Sequence, residues 1–89
     1  MQLMLTLEIW RKGRWYIARC PELDFVSQGE SPEKARQNLY ELIQIQFEEM
    51  GALGTLEDYL WECGYRRDNG AFVSPLEMIG FEKSSVPVS

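Results

Sequence analysis

Four acidic residues lie in or beside segments with strand character: Glu8, Glu22, Asp24 and Glu30. A nuclease of the RNase H type holds two Mg²⁺ ions among several such carboxylates. Glu22 and Asp24 are two positions apart, flank Leu23, and could face one way. The chain has 14 Asp and Glu against 9 Lys and Arg, so these acids read equally as the solvated surface of an acidic protein. Cys20 invites a nucleophile. A reactive thiol needs a neighbouring base or cation, yet histidine is absent and Arg19 projects from the opposite face of the same strand. Cys20 therefore reads as a small buried apolar residue, as does Cys63. Two distant cysteines with no histidine and no CxxC pair cannot complete a zinc site. The expectation is a chain with no catalytic residue, no metal and no cofactor.

Length and charge narrow the partners. Eighty-nine residues suffice for one domain, and a chain of this size buries only about 60–65% of its unfolded surface, so help from a second subunit is expected. The net charge of −5 opposes generic nucleic-acid binding, which needs clustered Lys and Arg. The basic groups, Arg11-Lys12 with Arg14 and Arg66-Arg67, form no stripe. The start of the chain alternates and contains Glu8, unlike a signal peptide. No stretch approaches the roughly 18 apolar residues of a membrane span. A cytoplasmic protein with reduced thiols, away from membranes, is expected.

The alternation that must position these residues begins at once. Leu3, Leu5, Leu7 and Ile9 fall on one side, and Met4, Glu8 and Trp10 on the other. Period two predicts one strand with one buried face. Gly13 suits a tight turn, residues 15–20 read as a second strand ended by Pro21, and residues 24–28 as a third, closed by Gly29. Ser31 then offers an N-cap, Pro32 a first helical position, and Glu33 a charge the helix dipole favours. Ala35, Leu39, Leu42, Ile43, Phe47 and Met50 repeat at helical spacing, the stripe of a helix lying on a sheet. Gly51 and Gly54 are expected to stop it. A shorter helix follows, with Thr55 as its cap, Asp58 as a capping-box-like partner, and Gly64 after its end. Asn69-Gly70 is a type I′ turn signal before a short strand at 71–73, and residues 81–88 read as a last strand. The predicted fold class is α/β (α+β): a small three- to four-stranded sheet in the order β-β-β-α-(α)-β, with one long helix on one face. It forms a single domain over 1–89, with its core in 1–50, a closing strand near 81–88 and a helical and hairpin insertion at 51–80.

Residues 15–35 resemble the HicB-type antitoxin domain. The resemblance rests on an aromatic strand, Cys20-Pro21-Glu22-Leu23, then Ser27-Gln28-Gly29, then a helix opening Ser31-Pro32-Glu33-Lys34-Ala35 and continuing Asn38-Leu39-Tyr40-Glu41-Leu42. It extends over residues 3–50, about half the chain. The commonest members carry Pro-Gly-Cys where this chain has Asp24-Phe25-Val26, and a second acid where it has Lys34. The resemblance implies a degraded RNase H-like fold without its catalytic acids, closed by a last strand parallel to the first. It implies a partner similar to HicA, a small basic ribonuclease inhibited by occlusion. Many members carry a DNA-binding domain after this fold. Only 39 residues follow Met50, with no second helix to read a groove, so no direct DNA binding is expected.

Two surfaces follow. Through the resemblance, Glu22, Asp24, Glu30 and Glu33 are candidate contacts for a basic toxin, steered by opposite charge. Each reads equally as solvated rim. Met4, Trp10, Trp15 and Ile17 would share the sheet face away from the helix and mark a homo-oligomer interface, dimer or tetramer. Alternatively, residues of the same chain cover that face. The two functional expectations are an antitoxin-type protein-binding domain and a toxin-free oligomeric binding module.

Overall fold

A computed structural model describes residues 2–89. Met1, with which the expected first strand begins, lies outside the described residues. The chain is a small α+β protein built from β1 (Gln2–Leu3), β2 (Glu8–Lys12), β3 (Trp15–Cys20), β4 (Phe25–Gly29), α1 (Pro32–Leu53), α2 (Leu56–Glu62), β5 (Arg66–Asp68) and β6 (Ala71–Val73).

The strands form two sheets, where one was expected. An antiparallel β2-β3-β4 sheet carries the centre of the fold, and a mixed β1-β6-β5 sheet stands beside it. The expected single strand over residues 2–10 is two strands in different sheets. Its leucine row nevertheless faces inward: Leu3, Leu5, Leu7 and Ile9 all pack against the buried cluster. Residues 4–7 belong to neither strand: the Met4 N–H makes a last bond to the Phe72 carbonyl at 3.1 Å, and the Thr6 N–H is engaged by the Glu22 carboxylate.

Helix α1 forms where the residues predict. The Ser31 side chain accepts from the Lys34 N–H at 3.0 Å, and Pro32 occupies the first turn, where its missing N–H costs nothing. Ala35, Leu39 and Ile43 are buried against Ala18 and Cys20 of β3. Asn38 Nδ2 donates to the Gln28 carbonyl at 2.8 Å and pins helix to strand. Gly29 belongs to β4 rather than following it. A Cβ there would lie 2.6 Å from the Ala35 backbone nitrogen, so only glycine lets the helix start pass so closely. Gly51 sits inside the helix, contrary to expectation. Gly54, at φ 74°, is the left-handed cap that ends it.

The segment after α1 completes the core. Leu60 of α2 and Tyr65 are fully buried, and the Tyr65 hydroxyl donates to the Met4 carbonyl at 2.8 Å. Thr55 precedes α2 but makes no side-chain cap; its hydroxyl turns back to the Met50 carbonyl. Asn69 and Gly70, at φ 50° and 78°, make the turn between β5 and β6, with the left-handed signature of type I′. The parallel strand beside the first exists, but residues 71–73 supply it, pairing Gln2 with Ala71 and Leu3 with Phe72. Residues 81–88 form no strand. From residue 74 onward the chain is an arm without helix or strand.

Candidate functional site

The sheet pairing determines which side chains share the face away from α1. In β3, Ala18 and Cys20 point to the helix, so Trp15, Ile17 and Arg19 point away. Their cross-strand neighbours extend two rows: Trp10–Ile17–Gln28 and Glu8–Arg19–Val26. Trp15 stands opposite Lys12. Three of the four residues expected on this face, Trp10, Trp15 and Ile17, are therefore brought together. Trp10 is 48% exposed, Val26 is exposed, and Trp15 and Ile17 are half-covered. Met4 is 64% exposed but does not join them through a shared strand, because it lies in the break between β1 and β2.

The face is ordered and locally basic. Glu8 lies between two partners: Trp10 Nε1 donates to Oε1 at 3.0 Å, and Arg19 Nη1 to Oε2 at 3.4 Å. The second arm of Arg19 lies 3.8 Å from Asp24 Oδ1. The Arg14 guanidinium sits 5.3 Å from the Trp15 ring centroid, within cation–π range. On this face and its turn, Lys12, Arg14 and Arg19 stand against Glu8, a local +2 in a chain of −5, while Arg11 lies opposite Tyr16 on the helix side. Strand β2 is also the edge of its sheet. Along it runs an open groove of about 420 Å³, with Leu7, Glu8, Ile9 and Trp10 on one side and Met78, Gly80 and Phe81 of the arm on the other.

The four acids expected on a partner surface do not gather. Glu22 is only 7% exposed and is withdrawn from the surface. Its carboxylate accepts from the Thr6 N–H at 2.9 Å, the Thr6 hydroxyl at 2.8 Å and the Ser74 hydroxyl at 2.6 Å. Cys20 Sγ donates at 3.5 Å. Burial alone would raise this carboxyl. The hydrogen bonds from Ser74 and Thr6 outweigh burial and hold it below its ordinary value. Glu22 thus ties together the break after β1, the end of β3 and the root of the arm. Asp24 is exposed at one end of β4, in a left-handed turn at φ 56°. Glu30 and Glu33 are exposed at the other end and at the helix start. Five strand residues separate the two ends, roughly 15–20 Å.

Cys20 is fully buried, and burial, with the neighbouring Glu22 charge, pushes its thiol up to about 11. Such a thiol is a poor nucleophile. Among the described residues, no group of three or more His, Cys, Asp or Glu is placed to hold a metal ion. No described helix is long and apolar enough to cross a membrane.

Two features lay beyond the sequence reading. The first is the Glu22–Thr6–Ser74 cluster, whose members lie 16 and 52 positions apart and leave no local pattern. The second is a groove of about 400 Å³ between α2 and β5, where the Arg66 guanidinium lies 3.9 Å from the Trp61 ring centroid and Arg67 pairs with Glu57. The Arg66-Arg67 pair was visible as a basic run, but its aromatic seat was not. Comparison with protein-family models, curated proteins and solved structures returns no match to the chain.

Proposed function

We propose that the chain is a non-catalytic polypeptide-binding domain of HicB-like antitoxin type, which neutralises a small basic ribonuclease by occupying its RNA site. The observation that carries this reading is the state of Glu22. Glu22, the buried carboxylate among the described residues, is held by donors from its own chain, as a structural tie rather than a reagent would be. Recognition falls to the exposed surface.

That surface supports opposite-charge docking. Outside the basic hairpin, the chain is strongly acidic, with Glu30 and Glu33 exposed beside the start of α1. A cationic enzyme would be steered there and would lose access to RNA phosphates once bound. The inhibition is occlusion, with no bond made or broken.

Co-expression with the product of a neighbouring gene for a short basic ribonuclease tests the reading. The expected result is restored growth and a co-purifying complex, weakened by Glu30→Lys with Glu33→Lys. A neighbour that is harmless and does not bind removes it. The basic, aromatic outer face of the sheet favours a second reading, a toxin-free oligomeric module, for which no such neighbour exists.

A further inference from the structure

We infer that two copies of the chain associate by exchanging their C-terminal arms, each arm lying across the outer β2–β3 face and free β2 edge of the other copy. The inference concerns a different surface from the acidic one assigned to a ribonuclease and stands independently of it.

The arm is apolar and uncovered. Ile79 is 95% exposed and Phe81 89%, and Val86 and Val88 are exposed as well. Hydrophobic side chains at this density on a polar surface mark a contact site. The receiving face has the matching deficit: Trp10 and Val26 are 48% and 55% exposed, and among the described residues no strand pairs with the outer edge of β2. An unpaired edge beside aromatic side chains accepts an added extended segment.

Charge selects the occupant. The outer face of the hairpin and its turn carry Lys12, Arg14 and Arg19 against Glu8, a net +2, whereas the arm carries Glu77 and Glu82 among its apolar residues and only Lys83 as a cation. An acidic apolar segment suits a basic apolar face, and this chain supplies both. The chain's own arm passes near the face but leaves a groove of about 420 Å³ between Met78 and Phe81 on one side and the β2 edge on the other. Among the described residues, no backbone hydrogen bond joins the arm to β2.

Reach permits exchange. Residues 75–88 span up to roughly 45 Å when extended, while three paired strands are only about 10 Å across. The radius of gyration is 15.5 Å, against about 12 Å for a compact chain of this length, in keeping with an arm that leaves the body. Its departure point is fixed, because Ser74 is bound to Glu22. Two arms on two faces give an isologous, closed pair.

The test is sedimentation of three full-length chains: the parent, an arm variant (Ile79→Glu with Phe81→Glu) and a face variant (Trp10→Glu). All of these positions are exposed, and circular dichroism checks that the fold survives. The parent should be dimeric, with affinity falling as salt rises, and each variant alone should dissociate at least about tenfold more readily. An equal mixture of the two variants should recover a heterodimer, because the intact face of one accepts the intact arm of the other. A monomeric parent at its highest soluble concentration overturns the inference. So does an arm variant that dimerises like the parent, or a mixture in which no heterodimer forms, since that outcome indicates sheets stacked face to face. None of these readouts involves the ribonuclease, so failure here leaves the antitoxin reading untouched, and failure there leaves this one.

Discussion

Glu22 holds Thr6 by two donors, the backbone N–H shared between both carboxylate oxygens at 2.9 Å and the hydroxyl at 2.8 Å, across 16 positions of sequence. This clamp sits in the break where the chain passes from one sheet to the other. Glu22→Gln keeps the shape but weakens charge-assisted bonds at a buried site. It should cost about 1–3 kcal/mol of stability, read from urea denaturation at neutral pH. A loss near zero would show that the cluster is incidental.

The same clamp sets an acid limit. The Glu22 carboxyl lies below its ordinary value in the folded chain. The unfolded chain therefore takes up its proton first as pH falls, and the stability that Glu22 contributes is present above the ordinary carboxylate range. It disappears as pH falls through the lower folded value. Parent and Glu22→Gln stabilities should differ most at neutral pH and converge in acid. A gap that stays constant would assign the depressed value to another group.

At the alkaline end the sign reverses. Cys20 is raised from 9.0 to about 11 and Tyr59 from 10.0 to about 12, both by burial first. Tyr65 is raised further for the same reason. Their neutral forms are favoured by folding, so stability is full below pH 9 and declines as pH climbs through the folded values. A thiol reagent at pH 8 should modify Cys63, which is half-exposed, and spare Cys20 until the chain unfolds. Rapid modification of both would contradict the buried placement.

Close packing makes two further positions sensitive. Gly29→Ala puts a methyl 2.6 Å from the Ala35 nitrogen, where the neighbour is backbone and cannot rotate away. The expected cost is about 1–3 kcal/mol. Leu39→Ala empties the centre of the buried cluster and should cost about 2–5 kcal/mol. Thermal melts of both variants check these values. An unchanged Gly29→Ala would mean that α1 can lift from β4 freely.

The contrast between these residues explains what could be read in advance. Ser31, Pro32, Gly54 and Asn69-Gly70 act within a few bonds of themselves, so helix start, helix end and hairpin turn were legible from residue type. Three of the four outer-face residues followed from period two alone. The strand break at residues 4–7 was not legible, because the carboxylate that engages Thr6 lies 16 positions away. The closing strand was misplaced for a related reason. Residues 81–88 have strand composition, but residues 71–73 already follow a turn that delivers them beside β1, and the later segment is left as an arm. Glu22 was expected at the surface because its type is acidic. Its burial depends on Thr6 and Ser74, which no local window contains.

The proposal that the chain acts by binding is tested most directly by titrating it into the neighbouring basic ribonuclease while RNA cleavage is followed. Cleavage should fall in proportion to added chain and vanish near equimolar subunits, and a Cys20→Ala chain should inhibit equally well. Cleavage that persists with the chain in excess, or that is abolished by traces of it acting catalytically, would contradict the account.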